Sequence, residues 1–181
     1  MVVGHYNDGI VHPMMAPADT STSRGSAQTD DVVDAVLGAS RALVAVAARS
    51  LANVGEDVTL AQYRVLVVLA SRGPQRLADL ATALAVDRST ATRMCDRLVR
   101  KRLIGRRRGT DDRRVVRISL TDAGADLVTE VSRRRRDEIR RIVRRMPPSS
   151  RTLVVDALQA FAAAAGEVPE QDWSLGWGHR T

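Results

Sequence analysis

Apolar residues recur at three-to-four spacing along most of this 181-residue chain, and the breaks in that rhythm divide it. Residues 1–28 are rich in Pro, Ser, Thr, Gly and Asp without periodicity, and are expected to form a disordered arm. From Asp30 onward Val33, Val36, Leu37, Ser40, Val44, Ala47 and Leu51 fall on one side of a long helix. Acids open that helix and Arg49 lies near its end, as the helix dipole favours. Thr59 reads as the N-cap of a second, strongly apolar helix, LAQYRVLVVLASRG, closed by Gly73–Pro74. A short third helix, QRLADLATALAV, places Leu77, Leu80, Ala81 and Leu84 on one stripe, and Asp87 caps a fourth, RSTATRMCDRLVRKR. About three residues join the third to the fourth, the spacing of a helix-turn-helix.

The period then switches. LIGRRR and RRVVRISL read as two strands, with Val116, Ile118 and Leu120 alternating on one face, and GTDD between them supplies turn chemistry. Thr121 or Asp122 caps a long fifth helix, AGADLVTEVSRRRRDEIRRIVRRM, broken at Pro147–Pro148. A sixth, SSRTLVVDALQAFAAAAG, carries Val154, Leu158, Phe161 and Ala165 on one side, and residues 167–181 form a tail holding Trp173 and Trp177. A helix-turn-helix followed by a hairpin is a winged helix. The fold class is therefore mainly α with a small β-hairpin wing (α+β). One domain spans residues 30–166: a winged helix-turn-helix DNA-binding lobe at 59–121, and dimerisation helices at 30–54 and 122–166. The apolar stripes of those flanking helices exceed what one small winged domain covers, and a two-fold partner would cover them. Such a dimer sets two recognition helices about one DNA turn, roughly 34 Å, apart.

Charge sharpens the picture by its distribution. The chain carries a net +7, but residues 1–86 sum to −2, residues 87–145 to +11 and residues 146–181 to −2. A basic block of this kind is the electrostatic footprint of a polyanion partner. Lys101 is the one lysine among 28 basic residues, and a GC-rich genome accounts for Arg over Lys but not for the clustering. No apolar run reaches the roughly 18 residues of a membrane span, and the N-terminal stretch lacks the pattern of a signal peptide, so a cytoplasmic chain is expected. With one cysteine, Cys95, and three histidines all in the tails, neither a disulfide nor a metal cluster is expected, and no cofactor. A nucleic-acid-processing enzyme would need a carboxylate cluster or a phosphate-cradling Gly loop, and the sequence carries neither; the chain is not expected to be an enzyme.

Asp112-x-Arg114, then Leu120-Thr121, then Gly124 resembles the wing signature of the MarR/SlyA family of bacterial transcription regulators. TLAQYRVLVVLASRGPQRLADLATALAVDRSTATRMCDRLVRKRLI resembles that family's helix-turn-helix, and the likeness extends over about residues 30–165. The resemblance implies an obligate homodimer, a palindromic operator, and release of the DNA by a small ligand. It also implies that Arg114 enters the minor groove with Asp112 as its orienting partner. Two features depart from the family pattern. Arg102 stands where members usually carry Gly, at the end of the recognition helix, and residues 1–28 and 167–181 have no counterpart.

On the fourth helix Ala91, Met94, Cys95 and Leu98 make the buried side. Ser89, Thr90, Thr92 and Arg93 are the candidates for base readout, and Arg88, Arg97 and Arg100 for phosphate contact. Asp96, three residues from Arg93 and four from Arg100, is expected to hold those arginines in place. In the wing, Arg106, Arg107, Arg108, Arg113 and Arg117 are candidates for phosphate contact. The run Arg133–Arg136, with Arg140, Arg141, Arg144 and Arg145, reads as ion-paired with nearby acids in preference to touching DNA. Cys95 reads as inert packing. An apolar or aromatic anion entering between the dimerisation helices and the DNA-binding lobe is the expected effector. The alternative is a winged-helix adaptor, or a nucleic-acid-binding module without ligand sensing.

Overall fold

A computed structural model describes residues 20–52, 54, 57–108 and 116–174. In chain order it contains α1 (Thr20–Ala52), α2 (Leu60–Arg72), α3 (Leu77–Ala83), α4 (Arg88–Arg100), β1 (Ile104–Arg108), β2 (Val116–Leu120), α5 (Asp122–Val143) and α6 (Pro148–Ala164), then one 3-10 turn, Glu170–Asp172. The chain divides into two units, residues 1–41 and 42–181. In the first, the described part is the N-terminal stretch of α1, with Val32, Val33 and Leu37 exposed. This helix starts at Thr20, so residues 20–28 of the expected arm are helical. Once a helix is nucleated, each further turn adds a hydrogen bond per residue fixed, and a polar stretch without apolar rhythm extends it.

The second unit is built around α2. Tyr63 and Val65–Ala70 are all buried, so this helix is apolar on almost every side and sits in the middle of its neighbours. Leu80 of α3, Cys95 and Leu98 of α4, Ile104 of β1, Ile118 of β2, and Leu127, Val128 and Val131 of α5 complete the core. Local chemistry sets the helix starts. Thr59 closes a capping box with Gln62, Asp87 accepts from the Thr90 amide, and Thr121, not Asp122, caps α5 by accepting from the Gly124 amide. β1 and β2 pair antiparallel with Ile104 opposite Leu120 and Arg107 opposite Arg117. Gln75 adds a single bridge to Ile118, a third strand position that no periodicity signals. Ile118 is buried and Leu120 half-buried, whereas Val116 at the outer end of the hairpin is exposed, so the expected apolar face holds only near the base.

The root of the hairpin is locked to α5. A Cβ on Gly124 would stand 2.0 Å from the Leu103 carbonyl oxygen, so only glycine lets the first turn of α5 lie this close. Thr121 N donates to Leu103 O at 3.2 Å and Thr121 Oγ1 to Arg102 O at 2.6 Å. The Leu-Thr…Gly stretch is thus a cap and a close contact in one.

α4 ends in a left-handed turn. Leu103 N donates to Leu98 O and Arg102 N to Val99 O, with Arg102 at φ 58°. The turn that glycine would favour is kept here by an arginine. Ala85, between α3 and α4, takes the same role at φ 52°.

Residues 167–174, the first part of the expected tail, pack against the rest of the second unit. Glu167 pairs with Arg64, Glu170 with Arg136, and Ser174 Oγ donates to Ser71 O at 2.9 Å. The half-buried Trp173 packs on the core, and its Nε1 donates to Val168 O at 3.0 Å. This segment lies on α2 and α5; Trp177 and the rest of the tail are outside the described residues. In contrast, α6 buries none of its side chains within the chain: Leu153, Val155, Leu158 and Phe161 are exposed.

Candidate nucleic-acid interface

The 3.6-residue period gives α4 two faces. Ala91, Cys95 and Leu98 are fully buried and Met94 half-buried against the core, which holds the helix by one side. The opposite side carries Arg88, Ser89, Arg93, Arg97 and Arg100, all exposed, with Thr90 and Thr92 half-buried beside them. Among the described residues, none of these four arginines has an acidic ion-pair partner. Their charges are therefore not neutralised by any described residue.

The polar side chains at the start of α4 form a network around Asp87. Its carboxylate accepts from Ser89 Oγ at 2.5 Å, from Thr90 Oγ1 at 2.7 Å and from the Thr90 amide at 2.8 Å. These hydrogen bonds, led by that from Ser89, hold the Asp87 carboxyl well below the usual carboxylate range. Arg93 Nη2 donates to Thr90 Oγ1 at 3.0 Å, and Thr92 Oγ1 donates to the Arg88 carbonyl at 2.8 Å. Sequence reasoning saw Asp87 as a cap only; its position just before Ser89 and Thr90 is the signal for the wider role.

Asp96 departs from expectation. It pairs with Arg106 on β1, not with Arg93 or Arg100, because the hairpin root packs beside the C-terminal half of α4. Arg106 is thereby tied to α4. Arg107 is exposed and stands directly opposite Arg117, which reaches the Pro74 carbonyl at 3.5 Å. Two like charges facing across a ladder destabilise it unless a counter-charge arrives. The side chain of Arg108, and Asp112, Arg113 and Arg114 altogether, lie outside the described residues. A cleft of about 370 Å³ between the start of α2 and the end of α4 is lined by Arg97, Arg100 and Lys101 with Asp57, Thr59 and Gln62.

The arginine run on α5 is ion-paired only in part: among the described residues Arg135, Arg141, Arg144 and Arg145 have no acidic ion-pair partner, and the buried Arg135 Nε has no hydrogen-bond partner. Arg133 and Arg134 hold Glu130, Arg140 holds Asp137, and Arg136 holds Glu170. Burial pushes the Cys95 thiol up, as inert packing requires. Among the described residues no group of His, Cys, Asp and Glu could hold a metal ion, and no helix is long and apolar enough to cross a membrane.

A family model described as MarR family matches residues 58–116, from the start of α2 to the wing. The structure of RV1404 from Mycobacterium tuberculosis is 47% identical, with a TM-score of 0.73 over 78% of this chain and 96% of that one. The chain belongs to the MarR family. Its winged-helix fold is the MarR fold, and the matched segment coincides with the exposed basic face just described. The transcriptional repressor MdtR of Bacillus subtilis is 44% identical over 69 residues, 38% of this chain and 44% of that protein. The chain thus spans about half the length of the curated MarR-type relatives it matches. BpsR of Bordetella bronchiseptica, whose DNA binding is regulated by 6-hydroxynicotinic acid, superposes with a TM-score of 0.55 at 26% identity, over 72% of this chain and 92% of that one.

Proposed function

We propose that this MarR-family chain is a sequence-specific double-stranded DNA-binding transcriptional regulator, a homodimer that represses from a palindromic operator and is released by a small ligand. One observation carries the reading: the outward face of α4 holds four exposed arginines without acidic partners among the described residues, beside three hydroxyl side chains, while its other face is anchored in the core. A helix held in this way reads base edges in the major groove with its N-terminal half, here Ser89, Thr90, Thr92 and Arg93. Arg88, Arg97, Arg100 and Arg107 reach phosphates. Arg113 and Arg114 are assigned to the wing's contact with the minor groove, where Arg is electrostatically favoured, and Asp112 to orienting Arg114. Residues 59–121 form the DNA-binding lobe, and such a protein works in the cytoplasm, where the chromosome is.

The dimer is supported by α6, which buries none of its side chains and leaves Leu153, Val155, Leu158 and Phe161 exposed, Leu153 by 71% and Phe161 by 52%. Helices at 30–54 and 122–166 are assigned to that interface. The repressor role leans on the likeness to MdtR, and ligand release on the likeness to BpsR. A cleft of about 300 Å³ lined by Ser50, Arg133, Arg134, Asp137, Glu138 and Arg141 is the candidate place for an aromatic or apolar anion, with Arg141 the lining arginine that has no acidic partner among the described residues. The test is a duplex gel shift with RNA and unrelated DNA as competitors. Exchanging Arg93 and Arg114 together for Ala should abolish duplex binding and leave a folded dimer. Unchanged affinity in that variant removes the site assignment.

A further inference from the structure

Each hydroxyl at the reading end of α4 spends its proton on the protein itself. Ser89 and Thr90 donate to the two oxygens of Asp87, and Thr92 donates to the Arg88 carbonyl. The direction is forced, because an ionised carboxylate and a carbonyl only accept. A hydroxyl has one proton and two lone pairs, so what these side chains turn toward a partner is acceptor only. Thr90 is the most constrained: its oxygen also accepts from Arg93, which leaves one lone pair.

In the major groove, adenine N6 and cytosine N4 are donors, whereas thymine O4, guanine O6 and N7, and adenine N7 are acceptors. An acceptor-only hydroxyl complements adenine or cytosine on the strand it contacts and meets thymine or guanine lone pair to lone pair. Donors for guanine come instead from the N–H groups of Arg93 that Thr90 leaves free.

We propose that Asp87 is a positioning residue for base readout: by taking the Ser89 and Thr90 protons it restricts both hydroxyls to bases that present an amino group. The inference rests on the DNA-binding reading above. It also defines an informative substitution. In Asp87→Asn the oxygen that accepts from the Thr90 amide and Ser89 must remain an oxygen, so the new amide nitrogen falls opposite Thr90 Oγ1. It donates to Thr90 and releases the Thr90 proton outward. Asn caps a helix as well as Asp does, so the fold is retained.

The experiment selects bound duplexes from a random library with the full-length wild type, Asp87→Asn and Thr90→Val. The position whose preference Thr90→Val relaxes is the one Thr90 reads. In the wild type it should hold adenine or cytosine. In Asp87→Asn a cytosine there should give way to thymine or guanine by about tenfold, and an adenine, whose N7 still accepts, should lose its preference over them by a similar factor, with the Ser89 position and the rest of the site unchanged. A merely structural role for Asp87 would weaken all positions together. Thymine or guanine at that position in the wild type, a Thr90→Val profile identical to wild type, or an Asp87→Asn profile identical to wild type each overturns the proposal. Should Asp87→Asn fail to fold, wild type against Thr90→Val still decides the polarity. If the wild type enriches no sequence at all, the DNA-binding reading itself fails, a distinguishable result that takes this proposal with it.

Discussion

Gly124→Ala probes the joint between wing and long helix. The added Cβ would lie 2.0 Å from Leu103 O and 3.2 Å from Leu120 Cδ2, where ordinary contact begins at 3.4 Å. The first turn of α5 must therefore retreat by more than an ångström from backbone that cannot yield. Three hydrogen bonds are stretched by that retreat: Thr121 N to Leu103 O, Thr121 Oγ1 to Arg102 O, and Gly124 N to Thr121 Oγ1. Overpacking costs about 1–3 kcal/mol and a lost cap about 1 kcal/mol. Alanine's better helix propensity returns about 1 kcal/mol. The net is a loss of roughly 1–3 kcal/mol, and at 2–4 °C per kcal/mol the melting temperature should fall by about 2–12 °C. The assay is thermal melting at matched protein concentration, since association makes melting concentration-dependent. A melting temperature equal to or above wild type would refute the close approach.

Arg102→Gly should stabilise the chain by about 0.5–1 kcal/mol, read as a higher urea midpoint, because φ 58° costs an arginine and not a glycine; a lower midpoint would mean the arginine side chain contributes more than its backbone loses. Cys95 should resist alkylation in the native protein near neutral pH and react on unfolding, since burial keeps it a thiol; rapid native labelling contradicts its place in the core. Glu130 is lowered from 4.5 to about 2 by hydrogen bonds from Arg133 and Arg134. A carboxyl with a depressed folded pKa adds stability that is full above its ordinary value and fades as pH falls toward about 2. Glu130→Gln should therefore flatten the acid limb of the urea midpoint against pH, and an unchanged limb would argue that the pair is idle.

The helix-turn-helix, the hairpin and the two faces of α4 are legible in the sequence because their signals are local. Caps at Thr59, Asp87 and Thr121, and a period that changes from 3.6 to 2 near Ile104, each involve residues a few positions apart. What stayed hidden depends on distant partners. Asp96 has arginines at suitable spacing on its own helix, yet bonds to Arg106, ten positions on, because the hairpin returns beside α4. The seat of Trp173 and the pairing of Glu167 with Arg64 likewise join residues about a hundred positions apart, which no window along the chain contains. The turn at Ala85 hides for another reason: its left-handed backbone lacks the glycine that would announce it, whereas the turn at Arg102 is marked in the sequence only by the family resemblance.

The most direct test of the central claim is a hydroxyl-radical footprint of the full-length protein on a duplex it selects. Two copies presenting α4 across a two-fold axis should protect two symmetric patches about 10 base pairs apart on one face of the duplex, with flanking minor-groove protection that is lost in the Arg114→Ala variant. A single isolated patch, or protection spread evenly along the duplex, would contradict the account.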